Sequence, residues 1–171
     1  MPAARKSTAA GAAKGPTRHA VALDRTTTHR LHMLHKLTDR VTQAAYTSDA
    51  GIPLAEGRCL AAIGSFAPLS VNDLAQGANL NKGQASRAAQ SLVDQGLVRK
   101  APSESDGRGV VLTLTAKGER MWHRVMAVID RRNQEIVACL DAQERRELDR
   151  LLDRLIEAAR GELRGPIGSE D

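Results

Sequence analysis

A chain of 171 residues that is 42% hydrophobic and only 2% aromatic can bury a core built mainly from Leu, Ala, Val and Ile, which suits helices. No apolar run approaches the roughly 18 residues a membrane span needs, and the N-terminus carries Arg5 and Lys6 but no apolar segment of signal-peptide kind, so the expected setting is cytoplasmic, with no membrane partner. The formal charge of +5 is unevenly placed: residues 1–23 hold Arg5, Lys6, Lys14 and Arg18 and no acid, which leaves the remainder nearly neutral.

That Ala/Gly/Pro-rich stretch, 1–23, reads as a disordered basic tail, either solvated or adding salt-sensitive phosphate contacts. Residues 24–50 hold one helix, over 26–48, whose Leu31, Leu34, Leu37, Val41, Ala44 and Ala45 form an apolar face that Thr38 interrupts. Thr26, Thr27 and Thr28 offer caps at its start. The segment 51–115 opens with a second helix, over 54–65, whose Cys59, Leu60 and Ile63, with the following Phe66, are available to pack beneath what comes next.

What comes next is the most informative part of the chain. Val71, Leu74, Ala75 and Ala78 stand at i, i+3, i+4 and i+7, one buried stripe of a short helix capped by Ser70. Asn79 suits the left-handed conformation that stops it, Leu80 supplies an apolar turn residue, and Asn81 with Gln84 makes a capping box for another helix. On that helix Ala85, Ala88, Ala89 and Leu92 share the inward face, while Gly83, Ser86, Arg87 and Gln90 point outward with Lys82 and Gln84 at the margins. The outward set is short or basic: Arg can bond guanine acceptors, Gln can pair with adenine, Ser serves several bases, and Gly83 lets a helix N-terminus approach a phosphate backbone. A solvated face of an ordinary amphipathic helix has the same pattern.

Gly96 then stops the helix, Leu97, Val98, Arg99 and Lys100 begin a strand, and Val110, Leu112 and Leu114 alternate along its partner. Between them the tip Asp106-Gly107-Arg108-Gly109 offers a flexible guanidinium suited to a narrow minor groove, with Asp106 placed to orient Arg108. An exposed ion pair of no consequence would explain those two residues alone, but not the two helices before them. Helix, turn, helix and hairpin together make a winged helix-turn-helix, a device that reads double-stranded DNA. Within 116–163, Thr115 caps a long helix carrying Met121, Trp122, Val125, Met126, Ile129, Ile136, Val137 and Leu140. Asp141 and Glu144 then open a helix whose Leu148, Leu151, Leu152, Leu155, Ile156 and Ala159 lie on one stripe. Residues 164–171 read as a flexible tail. The fold class is mainly α with a small β-hairpin wing.

The segment 57–118 resembles the winged-helix core of the MarR family of bacterial transcriptional regulators. The likeness is carried by Asp106-x-Arg108-x-x-x-Leu112-x-Leu114-Thr115, by Lys117-Gly118, by the Asn81-Lys82 opening and by Arg87, and with the flanking helices it covers about residues 26–162. It departs from the family at Gly57, where many members carry an aromatic residue. The resemblance implies that the N- and C-terminal helices interlock in a homodimer, which would set two recognition helices about 34 Å apart on a pseudo-palindromic operator. DNA contacts then fall to Lys82, Gly83, Gln84, Ser86, Arg87, Gln90, Asp106 and Arg108.

The resemblance further implies a pocket between the dimerising helices and the winged domain for an aromatic acid or phenol. His29, His32, His35, Lys36, Arg58 and Trp122 are candidate contacts for a small organic acid effector, though each also fits a solvated, capping or core role. The H-x-x-H-x-x-H pattern of His29, His32 and His35 invites a zinc reading, but His29 and His35 lie about 120° apart on a helix, so one ion cannot easily take all three. Cys59 and Cys139 both fall on apolar faces and are expected to be buried structural thiols; peroxide-sensing family members carry a reactive cysteine near the start of the first helix, which is absent here. No G-x-S-x-G, H-E-x-x-H or Gly-rich phosphate loop points to an enzyme, and no cofactor is expected. The sequence thus reads as a repressor released by a small aromatic or heteroaromatic acid; the alternatives are a zinc-responsive regulator of the same fold and an effector-independent architectural DNA-binding protein.

Overall fold

The computed structural model describes residues 21–102 and 110–164, and the chain forms two units, 1–37 and 38–171. The described part of the first unit is one 3-10 turn, Leu23–Arg25, followed by the beginning of helix α1, Thr27–Ala45. Thr26 Oγ1 accepts from the His29 amide at 3.4 Å, so the expected threonine cap is in place, and no residue of α1 is buried.

In the second unit α1 widens into a π-type turn, Tyr46–Ala50, which ends at Gly51 with φ +68°. Helix α2, Leu54–Phe66, follows Pro53 and runs through the centre of the core, burying Gly57, Cys59, Leu60, Ala62 and Ile63. Around it lie α3 (Val71–Gly77), α4 (Lys82–Asp94), the hairpin β1 (Val98–Pro102) and β2 (Val110–Leu114), and α5 (Ala116–Ile136). Leu60, Ile63, Leu74, Leu92, Leu97, Leu112 and Val125 are all but inaccessible to solvent, each such burial contributing about 1.5–3 kcal/mol. Helix α6, Ala142–Arg164, closes the chain and buries none of its described residues.

The hairpin pairs antiparallel, Val98 opposite Leu114, Lys100 opposite Leu112 and Pro102 opposite Val110. Leu69 adds a bridge from the far side, since the Leu112 amide donates to its carbonyl at 2.9 Å. This third strand contact has no period-2 signal because a single residue makes it.

Three expectations need correction. Phe66 is 61% exposed rather than packed beneath the reader: as the last residue of α2 it rests against Gly77 at the rim. Helix α5 stops at Ile136 instead of reaching Leu140, because the Leu140 amide turns back to the Val137 carbonyl at 3.0 Å and Asp141 opens α6. The Glu144 amide donates to Asp141 Oδ1 and the Asp141 amide to Glu144 Oε2, both at 2.9 Å, completing the anticipated capping box. Cys139 falls in that turn rather than on a helical face, and is therefore exposed.

A candidate nucleic-acid interface

The helix-turn-helix is built by its caps. Ser70 Oγ accepts from the Asp73 amide and starts α3; Ala78 is buried, Asn79 takes φ +51°, and the Leu80 amide returns to the Ala75 carbonyl at 2.9 Å. Asn81 Oδ1 then accepts from the Gln84 amide at 2.8 Å while Gln84 Oε1 accepts from the Asn81 amide at 3.2 Å. Ala85, Ala88, Ala89 and Leu92 bury the inner face of α4 against α2 and α3, and three alanines in four positions let the backbones come close.

The opposite face is open. Lys82, Gly83, Ser86 and Arg87 are exposed, and among the described residues the side chains of Lys82, Ser86 and Arg87 make no hydrogen bond or ion pair. The Arg87 guanidinium lies back over Gly83, where a Cβ would stand 3.5 Å from Nη1. The other two expected readers are differently placed. Gln84 has its oxygen committed to the cap, and Gln90 has both ends engaged, Nε2 donating to Asp94 Oδ1 and Oε1 accepting from Lys100 Nζ, each at 2.7 Å. Asp106 and Arg108 lie outside the described residues.

The C-terminal end of α4 is firmly held. Ser91 Oγ and Gln95 Nε2 donate to the two carboxylate oxygens of Glu56 on α2, at 2.9 and 2.8 Å. Lys117 Nζ donates to the Gln95 carbonyl at 2.8 Å, placing a cation at the negative end of the helix dipole. Thr115 Oγ1 donates to the Gly96 carbonyl at 2.8 Å and accepts from the Gly118 amide at 3.0 Å, so one hydroxyl joins the end of the reader to the start of α5. A Cβ at residue 118 would sit 1.9 Å from the Leu97 carbonyl oxygen, which gives the Lys117-Gly118 pair its physical meaning. Glu56, Asp94 and Lys100 were not legible as partners of this helix, since a polar residue on an amphipathic segment does not announce which side chain it meets.

The expected effector contacts are not gathered in one place within the second unit. Arg58 is ion-paired to Asp39 at 2.6 Å. Trp122, on α5, lies over Gly64 of α2 with its indole N–H buried and without an acceptor among the described residues, and lines a cleft of about 440 Å³ with Arg99, Thr113, Glu119 and His123 but not Arg58. His29 is half-buried, and His32, His35 and Lys36 are exposed, all on the part of α1 that belongs to the first unit. Among the described residues no three His, Cys, Asp or Glu side chains cluster as a metal site would require. Tyr46 is buried with its ring where a Cβ on Gly57 would be, 2.2 Å from Cδ1, and burial pushes its hydroxyl up, with Arg58 opposing. Beside it, hydrogen bonds from Ser48 and then Arg131 hold the Asp49 carboxyl below the usual carboxylate range and tie the turn to α5.

A sequence model of the MarR family matches residues 50–109. The HTH-type transcriptional repressor Rv2887 of Mycobacterium tuberculosis is 32% identical over 112 residues, 66% of this chain and 81% of that protein. The chain belongs to the MarR family. A crystal structure of the same mycobacterial MarR protein in complex with salicylic acid superimposes with a TM-score of 0.66 at 30% identity, covering 79% of this chain and 99% of that one. A mutant of MarR from Escherichia coli complexed with operator DNA gives a TM-score of 0.64 at 26% identity, covering 75% and 91%. Gly57 is explained internally: Tyr46 enters from the preceding turn and its ring fills the space that a side chain at residue 57 would need. No described helix is long and apolar enough to cross a membrane.

Proposed function

We propose that this MarR-family protein is a homodimeric repressor that reads a pseudo-palindromic operator and releases it on binding a small aromatic acid. The observation that carries the DNA reading is the outer face of α4, where Lys82, Ser86 and Arg87 are exposed and unpartnered around Gly83 while the rest of the helix is fixed from behind. Arg87 is the base reader and Lys82 a phosphate contact; Ser86 and the free amide nitrogen of Gln84 complete the major-groove set, with Arg108, oriented by Asp106, entering the minor groove. The basic residues of 1–23 add affinity without sequence choice.

Dimerisation is supported by apolar surface that one chain leaves open: Leu31, Leu37 and Val41 on α1, and Leu151, Leu152, Leu155 and Ile156 on α6. The effector class rests on similarity to a protein whose crystal structures hold salicylic and p-aminosalicylic acid. Trp122 offers such an acid an aromatic wall, Lys36 and Arg58 supply cations, Arg58 only after leaving Asp39, and His29, His32 and His35 supply imidazole N–H donors.

The test is a binding isotherm on a duplex selected from a randomised library. Arg87→Ala should cost about 1–3 kcal/mol and relax base choice at one position per half-site, whereas Lys82→Ala should reduce the salt slope by about one unit per subunit and leave base choice intact. Isotherms unchanged by both would refute the assignment of the reader. Salicylate should weaken wild-type binding and raise Tm; a ligand without a difference in affinity between free and DNA-bound forms releases nothing.

A further inference from the structure

We propose that Lys100 is a DNA-backbone contact lodged between reader and wing, and that Gln90 positions it instead of reading a base. The proposal rests on the DNA-binding reading above. A glutamine that reads adenine must accept from N6 and donate to N7 with the two ends of one amide. In Gln90 each end is already engaged: the amide nitrogen donates one N–H to Asp94 Oδ1 and the amide oxygen accepts from Lys100 Nζ on one lone pair, each at 2.7 Å, so pairing with adenine is left only the second N–H and second lone pair of an amide whose orientation these two neighbours hold. The two neighbours also fix which end is which, because a flipped amide would set its oxygen against the carboxylate and its N–H groups against the ammonium.

The location of this relay supplies the function. Lys100 is the middle residue of β1, two positions before Pro102, and Gln90 stands one turn beyond Arg87 on the outer face of α4. A protein that sets a helix in the major groove and a hairpin in the neighbouring minor groove straddles the sugar-phosphate strand dividing them. The Gln90–Lys100 bond joins those two elements, so the ammonium faces that strand. Gln90 uses one of the three ammonium donors; two remain, and the side chain is exposed. Hydrogen bonds at such exposed positions add little stability, so the relay orients a charge.

The experiment uses the full chain and a duplex selected by the wild type from a randomised library, with affinity measured across salt concentrations and at every single-base variant. Lys100→Gln should lower the salt slope by about one unit per bound subunit, keep the ranking of bases and leave the urea midpoint unchanged, while Lys100→Arg restores the slope. Gln90→Ala should weaken binding less than tenfold, again with the ranking of bases intact. Relaxed choice at one base pair in Gln90→Ala, or a wild-type slope in Lys100→Gln while Arg87→Ala still loses affinity, would overturn the proposal alone. Selection of no duplex by the wild type would overturn the DNA-binding reading with it.

Discussion

The exchange between Tyr46 and Gly57 makes a prediction whose sign reverses with context. A Cβ added at residue 57 would lie 2.2 Å from the Tyr46 ring, well inside the roughly 3.5 Å at which carbon atoms first attract. The residue is 3% exposed and packed in the core, so Gly57→Ala should incur an overpacking cost of about 1–3 kcal/mol. Against that stands the gain of about 1 kcal/mol for replacing a helical glycine by alanine. The net is a loss of about 1 kcal/mol in the wild-type background. Tyr46→Ala alone empties the site and should cost roughly 3–5 kcal/mol, as for other buried aromatic truncations. In that background the clash is gone and the propensity gain remains, so Gly57→Ala becomes stabilising by about 1 kcal/mol, a coupling of about 2 kcal/mol. Urea unfolding of the four proteins at one fixed concentration, read as midpoints with a common m-value, closes the cycle. If Gly57→Ala destabilises equally with and without the tyrosine ring, Tyr46 does not occupy that space and the account of Gly57 fails.

Three further outcomes are expected. Gly118→Ala drives a Cβ into the Leu97 carbonyl and should lower stability by about 2 kcal/mol in urea despite its better helix propensity; an unchanged midpoint would show that α5 does not approach the wing strand this closely. Glu56→Ala leaves the half-buried Ser91 hydroxyl without its acceptor and Gln95 with only Ser91, and should cost about 1 kcal/mol, with faster amide exchange around 91–95 and weaker DNA binding although Glu56 itself belongs to α2. A thiol reagent at pH 8 should titrate one cysteine per native chain, the exposed Cys139, and a second only after unfolding; two fast thiols would contradict the burial of Cys59. Burial first, and the Glu56 charge second, push the Cys59 thiol from 9.0 to about 12, so its contribution to stability is complete below about pH 9 and is lost as pH rises from there toward 12.

Where a periodic pattern or a cap decided the backbone, the sequence was legible. Asn81 with Gln84, Ser70, Thr115 and Asn79 each act through atoms within three residues, and every one does in the structure what its type predicts. The four inward residues of α4 follow in the same way from a 3.6-residue period. The losses occur where a decision belongs to a distant partner. Gln90 has the right face and chemistry for a base reader, and only the structure shows that Lys100 of β1 donates to its amide oxygen. Cys139 has an apolar neighbourhood in sequence, yet the Val137 turn carries it off the helical face. Arg58 and Trp122 offer a charge and an aromatic ring that suit one ligand, but Arg58 on α2 is paired with Asp39, while Trp122 on α5 lies over Gly64 and lines a cleft without Arg58. The meaning of Gly57, Gly64 and Gly118 was hidden for the same reason: a glycine records a close approach without naming what approaches.

The bonds around α4 are distributed unequally, and this limits how the reader can be controlled. Its C-terminal end is tied to α2 through Glu56, to the start of α5 through Lys117 and Thr115, and to β1 through Lys100, whereas Lys82, Ser86 and Arg87 near the other end are exposed and have no partner among the described residues. Melting α4 would have to break all of these links, while rotating α4 together with α2, the wing and the head of α5 breaks none. A rigid rotation is therefore the less costly motion, and it changes the angle of one reader without altering its surface. In the proposed homodimer on a two-fold operator the effect would be felt through spacing, because both recognition helices would have to enter successive major grooves at once. The effector proposed above would then act by biasing this rotation by a few kcal/mol, with no contact to the reading residues.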